Sequence, residues 1–337
     1  MLSAKDNNFD LDKNASAIIY GLSGLELNDR ERAFFKDANP FGFILFKRNV
    51  NTPDQVLALT DSLRDLLGRN CPVLIDQEGG RVQRLNKPNW RAYPPASIFG
   101  EKAQDDMPSA LESLRFNSLQ MIDDLKDCGI NVNCTPVADV LSPETHDVIG
   151  DRAFSDDPGI VGRLALSVCR HYVASGVTPI IKHIPGHGRA NADSHLELPV
   201  VHTPEEALRT FDFKPFSDIA ASDVGMNVWA MTAHVIYSAL DADKPATISK
   251  GIIEKTIRDD IGFDGVLISD DLDMKALSPY GDPAEMAEES LKAGCDLALH
   301  CCGDLPLMQK IAEKTPKIAD SALKRLQKSL VSGKKAA

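Results

Sequence analysis

The densest chemistry in the chain lies between positions 182 and 195, in the stretch IIKHIPGHGRANADSHLELP, which holds Lys182, His183, His187, Asp193 and His195. Gly186 and Gly188 flank His187, and the run from Arg189 to Ser194 is small and polar, the composition of a loop. A lone histidine is usually structural or solvated. Three histidines, a lysine and an aspartate on one loop point to function. Asp193 and His195 stand two residues apart, so the carboxylate can accept a hydrogen bond from one imidazole nitrogen. That fixes the tautomer and leaves the ring an acid/base near neutral pH. The same spacing also fits a solvent-exposed Asp-Ser-His turn.

A second group sits in GFDGVLISDDLDM, where Asp270 follows the apolar run Val266 to Ile268 and precedes Asp271 and Asp273. A carboxylate at such a strand end can act as a nucleophile toward an anomeric carbon, with Asp271 expected to face a different direction. The acidic cluster fits a divalent cation equally well. In VLIDQEGGRVQRL, Asp76 is followed by Gly79-Gly80 and then Arg81 and Arg84. Carboxylate and guanidinium groups grip vicinal sugar hydroxyls by paired hydrogen bonds, although a loop salt bridge has the same composition. Arg152, in IGDRAFSDDP, is by itself a weak signal.

These residues need elements to bring them together. Eight short apolar runs alternate with amphipathic segments: Ala17 to Tyr20, Gly42 to Phe46, Pro72 to Ile75, Ile130 to Cys134, Pro179 to His183, Val228 to Thr232, Gly265 to Ser269 and Asp296 to His300. Such alternation marks βαβ units and a parallel sheet, and eight is the number that closes a barrel. A doubly wound open sheet has the same period. Polar groups at several run ends (Asp76, Lys182-His183, His234, Asp270-Asp271) favour the α/β barrel, because its strands all open onto one mouth. We therefore expect a single (β/α)8 TIM-type barrel over residues 1–337, with a polar extension at 1–15 and a frayed tail at 333–337.

Helices are expected over Pro53 to Leu67, Ser109 to Cys128, Gly159 to Ser175, Pro204 to Ala221, Ser249 to Asp260 and Pro283 to Ala293. Thr52-Pro53 and Thr203-Pro204 supply an N-cap followed by a first-turn proline, and Gly129 and Gly294 suit left-handed C-caps. From about Pro306 the chain reads as one terminal helix.

The 337 residues are 43% hydrophobic with net charge −12. No large basic patch exists for a nucleic acid partner. No stretch approaches the ~20 apolar residues of a membrane span, and the N-terminus lacks the apolar core of a signal peptide. Cysteines at 71, 128, 134, 169, 295, 301 and 302 are odd in number and mostly inside apolar segments, as reduced thiols in a cytoplasmic protein would be. Adjacent Cys301 and Cys302 lack the spacing of a zinc or redox site.

DQEGGRVQR (76 to 84), GDRAFSDDP (150 to 158), KHIPGHG followed by DSH (182 to 195), MTAHVIY (231 to 237) and GVLISDDLDM (265 to 274) together resemble the family 3 glycoside hydrolases. The likeness spans nearly the whole chain. The KH-PGHG-DSH pattern is similar to that of the NagZ-type β-N-acetylglucosaminidases (β-N-acetylhexosaminidases) of bacterial peptidoglycan recycling. The resemblance implies a retaining hydrolase of terminal N-acetylglucosamine, with Asp270 as nucleophile, His195 as acid/base and Asp193 orienting it. It implies that Asp76, Arg84, Arg152, Lys182 and His183 hold the terminal sugar. The implied substrate is a small carbohydrate, a GlcNAc-1,6-anhydro-muramoyl fragment with or without peptide, and neither cofactor nor metal is implied. Asp273 departs from the pattern, which more often has a small neutral residue such as serine there. Elementary chemistry agrees, since retention at a glycosidic bond needs a proton donor and a nucleophile on opposite faces.

Two other classes remain. A metal-dependent barrel hydrolase would use His183, His187 and a carboxylate such as Asp270, but lacks a paired-histidine motif on an early strand. A non-catalytic sugar-binding barrel would keep Asp76 and Arg152 without needing Asp193 and His195.

Overall fold

Each of the eight apolar runs forms a strand in the computed structural model, which describes residues 9–143, 145–190, 192, 194 and 197–330. The strands are β1 (Ser16–Gly21), β2 (Pro40–Leu45), β3 (Val73–Ile75), β4 (Val132–Asn133), β5 (Thr178–Ile184), β6 (Trp229–Thr232), β7 (Leu267–Asp271) and β8 (Leu297–His300). All pair in parallel with their neighbours, and β1 meets both β8 (Ile18 opposite Ala298) and β2 (Ile19 opposite Gly42), so the barrel closes. Strand side chains alternate between faces. Ile19, Ile44, Leu74, Val132, Ile180, Met231, Ile268 and Leu299, one from each strand, fill the interior. Ile18, Tyr20, Phe43, Val73 and Ile75 belong to the layer under the helices.

The end of the barrel at the strand N-termini is sealed by aromatic rings. Phe9 meets Phe41 and Trp229 edge-on, at centroid distances of 5.7 and 5.5 Å. Part of the segment expected to be a polar extension is thus core: Phe9 and Ala15 are buried. On the same end Asp296, just before β8, receives Arg258 at 3.1 Å and Arg325 at 2.9 Å, tying two helical segments to the barrel.

Helices Pro53–Leu67 and Pro283–Ala293 match the expected bounds, with Thr52 and Asp282 capping the Gln55 and Glu285 N–H groups. Gly129 and Gly294 take positive φ (69° and 123°) at their helix ends. Four expectations change. The helix expected over 204 to 221 is broken into a short turn Glu205–Ala207, a π-helical segment Leu208–Asp212 and helix Lys214–Ala220. Its cap is Pro204 rather than Thr203, with no side-chain cap bond. The segment Ile252–Asp260 is also π-helical. The terminal helix is two helices, Leu305–Lys314 and Asp320–Ser329, because Pro316 excludes helical geometry at the residue before it. Among the described residues no helix is long and apolar enough to cross a membrane.

Candidate active site

The strand C-termini surround a cavity of about 280 Å³ that takes side chains from most of the barrel. Phe46 follows β2, Asp76 and Glu78 follow β3, Lys182 and His183 end β5, Met231 comes from β6, Asp270 and Asp271 end β7, and Cys301 follows β8. Asp76, Arg84, Arg152, Lys182, His183 and Asp270, the described residues to which the resemblance assigns a role, all line it. Asp193 and His195 lie outside the described residues.

One wall is a lattice of opposite charges. Lys182, only 2% exposed, places its Nζ 2.8 Å from Asp76 Oδ1 and 2.6 Å from Glu78 Oε1. Arg84 Nη2 reaches Asp76 Oδ2 at 3.0 Å, and Arg152 donates both Nε and Nη2 to Glu78 at 2.9 Å. Burial alone would push both carboxyls up and Lys182 down. The neighbouring cations outweigh it and hold Asp76 and Glu78 below their ordinary values, while the carboxylates hold Lys182 above its own. Three cations against two carboxylates leave the wall one charge positive. The Asp76–Arg84 salt bridge and a cavity-facing role therefore coexist. Arg81 also lines the cavity, and it binds Asp151 at 2.7 Å and the carbonyls of Val148 and Ile149, fastening the loop that carries Arg152. Arg48 and Arg84 stack on Phe46, at 5.0 and 5.1 Å from its centroid.

The second wall is built on Asp139, fully buried beyond β4. It accepts hydrogen bonds from His183 N (3.0 Å) and His187 N (2.7 Å), and its Oδ2 lies 2.7 Å from His183 Nδ1. Burial raises its pKa, but the histidines outweigh that and bring it to about 2. The pairing fixes the His183 tautomer with the proton on Nδ1 whenever the ring is neutral. His187 is itself pushed down to about 4, first by burial and then by His183, so it is neutral at pH 7. Its Nε2 lies 3.4 Å from Ser194 Oγ.

At the end of β7, Asp270 Oδ1 accepts the Asp271 N–H at 2.8 Å. Asp271 was expected to face elsewhere, yet it also lines the cavity. It differs in its anchoring: its Oδ1 accepts N–H groups of Cys301 (3.1 Å) and Asp273 (3.2 Å). Burial, reinforced by the charge on Asp270, raises its pKa to about 6. His234, expected at the mouth, is buried behind it and does not line the cavity. Its Nδ1 is 2.7 Å from Thr247 Oγ1 and its Nε2 2.9 Å from the Asp271 carbonyl, so it supports the β7 backbone. Asp273 is exposed.

Sequence reasoning missed Glu78 and Asp139. Glu78 stands inside the quoted DQEGGRVQR, and Asp139 is the one charge in the apolar run TPVADVL, a signal that a buried carboxylate must be paired. Among the described residues no three His, Cys, Asp or Glu side chains are arranged to hold a metal ion. The proposed set of His183, His187 and Asp270 has His183 Nδ1 committed to Asp139.

A closed parallel barrel whose mouth presents carboxylates, imidazoles and a paired lysine to a cavity has the parts a barrel glycoside hydrolase needs. The chain belongs to glycosyl hydrolase family 3: residues 13–330 match the Glycosyl hydrolase family 3 N terminal domain. It is 32% identical over 317 residues to the β-hexosaminidase of Bordetella avium, covering 92% of this chain and 83% of that one. It is 37% identical over 285 residues to the β-hexosaminidase of Alkalilimnicola ehrlichii (84% and 80%). NagZ from Neisseria gonorrhoeae, crystallised with N-trifluoroacetyl-D-glucosamine, superposes with a TM-score of 0.84 at 31% identity (94% and 90%). The β-N-acetylglucosaminidase from Thermotoga maritima gives 0.77 at 26% identity (97% and 68%).

Proposed function

We propose that this enzyme is a retaining β-N-acetylhexosaminidase that removes terminal, non-reducing N-acetylglucosamine. The observation that carries the reading is Asp270 at the end of β7, lining the same cavity as the Asp76–Lys182 lattice and the Asp139-oriented His183. The sugar would be held by Asp76, Arg84, Arg152, Lys182 and His183, with Glu78 fixing Arg152 and Lys182. Asp270 would attack the anomeric carbon as the bond to the leaving oxygen breaks, and His195, oriented by Asp193, would pass its proton to that oxygen. In the second step His195 takes a proton from water, whose oxygen attacks the anomeric carbon and frees Asp270. No step needs a metal or cofactor.

The natural substrates on this reading are GlcNAc-1,6-anhydro-muramoyl fragments, with or without peptide, acted on in the cytoplasm during peptidoglycan recycling. The β-hexosaminidase relatives and the NagZ superposition support that choice. Residues 1–337 would form one domain, since the strands that close the barrel run from β1 near the N-terminus to β8, with the last helices packed behind.

Comparing kcat/KM on 4-nitrophenyl β-N-acetylglucosaminide and on the matching β-glucoside, with the product anomer followed by NMR, tests this. A site built to hydrogen-bond the acetamido group should reject the glucoside by roughly 10⁴-fold, and the first-formed product should be β. Equal rates on both, or an α product, would exclude the proposal.

A further inference from the structure

The segment leaving β5 toward His195 is fastened on two sides before it reaches that residue. On one side the Gly188 carbonyl accepts hydrogen bonds from Thr145 Oγ1 and from Ser142 Oγ (3.3 Å), and the Ala190 carbonyl accepts the His146 N–H at 3.0 Å. Between these points Arg189 reaches the other way. Its Nε donates to Asp212 Oδ2 at 2.7 Å, and its guanidinium lies 4.8 Å from the Phe211 ring centroid. Further along, the Ser194 carbonyl accepts the Ala276 N–H at 3.2 Å, joining the segment to the one that follows Asp270. Ser194 adjoins His195 in sequence, so the contacts of Gly188, Arg189, Ala190 and Ser194 bear on where the acid/base can be presented.

The Arg189–Asp212 contact has features that ordinary stability does not call for. Asp212 is 1% exposed, yet its Oδ1 has no hydrogen-bond partner among the described residues. A buried carboxylate with half its acceptor capacity unused is costly and needs a reason. Asp212 also ends the π-helical segment Leu208–Asp212, where an uninterrupted α-helix was expected. The π winding turns this residue relative to that helix, and such bulges are frequent at functional sites. Its backbone also packs against Gly186, so the carboxylate stands beside the start of the same segment.

We propose that Arg189 and Asp212 are positioning residues that tether the segment carrying His195 and so set the geometry of proton transfer to the leaving group. This rests on the acid/base reading of His195 given above. Neither residue lines the cavity, so neither acts on the sugar directly.

The test uses the full chain with Arg189→Met, Arg189→Lys and Asp212→Asn, alongside His195→Ala. Each is assayed on N,N′-diacetylchitobiose, whose leaving group must be protonated, and on 2,4-dinitrophenyl β-N-acetylglucosaminide, whose leaving group departs as the anion. Arg189→Met and Asp212→Asn should lose roughly 10- to 100-fold in kcat/KM on the disaccharide and less than about threefold on the dinitrophenyl substrate. Arg189→Lys, keeping the charge, should recover part of the disaccharide rate. Equal losses on both substrates, or none on either, would overturn the tether. If Arg189→Met does not fold, the near-isosteric Asp212→Asn decides by the same ratio. His195→Ala separates the two claims. A substrate-dependent loss there without one in the tether variants removes only the tether, while equal losses in His195→Ala remove the acid assignment and the tether with it.

Discussion

Both ends of the barrel carry a carboxylate shared between two cations, buried at one end and half-buried against a cavity at the other, and only the second is a site of chemistry. At the strand N-termini Asp296 joins Arg258 and Arg325, and a groove of about 500 Å³ opens beside it. At the strand C-termini Asp76 joins Lys182 and Arg84 around a cavity of about 280 Å³. Volume alone would choose the wrong end. In the lower groove Lys292 pairs with Glu288 one turn back on its own helix, and Arg258 and Arg325 pair with Asp296 just before β8. The upper lattice instead faces a cavity that it shares with His183 beside Lys182 on β5, and with Met231 and Asp270, supplied by two further strands. A shared ion pair therefore acts as a brace where it binds helices to the barrel. It becomes part of a site where it borders a space that other strand ends also reach.

That contrast predicts a division between activity and stability. Lys182→Met should have the largest effect on activity among the lattice variants, since it leaves Asp76 and Glu78 facing one another without their shared cation. We expect kcat/KM to fall on the order of 100-fold or more, with about 3–5 kcal/mol of stability lost. A variant with near-normal kcat/KM would show the upper lattice to be a brace as well. Asp296→Asn should do the reverse, losing about 3 kcal/mol in denaturant unfolding while kcat/KM on an aryl substrate stays within about twofold. A clear loss of activity without loss of stability would erase the distinction between the ends.

A smaller effect comes from His187. Burial first, and His183 second, hold its pKa at about 4 rather than 6.5. Between those values the unfolded chain binds more protons than the folded one. The stability is therefore complete above pH 6.5 and is lost as pH falls toward 4. His187→Gln should lose less stability between pH 7 and pH 5 than the parent, by on the order of 1 kcal/mol. Parallel melts with the same pH slope would contradict this.

The strands were legible because each is a short apolar run buried on both faces. The mouth was legible because its polar residues fall at the ends of those runs. Other features lie outside what such patterns record. A π-helical turn such as Leu208–Asp212 keeps the same residue types as an α-helix, so its register shift, and with it the Arg189–Asp212 contact, leaves no trace in periodicity. Asp139 is far in sequence from His183, and only the pairing of β4 with β5 brings them together. His234 shows the opposite case: a histidine just past a strand has the sequence signature of a mouth residue, yet its ring supports the backbone of Asp271. Phe9 was hidden by its polar neighbours.

The central claim is that Asp270, and not its neighbour Asp271, bonds to the sugar. Both line the cavity, but Asp271 is fastened to the Cys301 and Asp273 N–H groups and its pKa is raised to about 6. Those two hydrogen bonds commit the Asp271 carboxylate to holding the backbone after β7 and β8, away from attack on the sugar. A 5-fluoro N-acetylglucosaminyl donor with a good leaving group slows both steps through its electron-poor transition state, and so accumulates the intermediate. Digestion and mass spectrometry of the trapped protein should place one glycosyl group on Asp270. A label on Asp271 or Asp273, or full turnover to an inverted product with no label at all, would contradict the account.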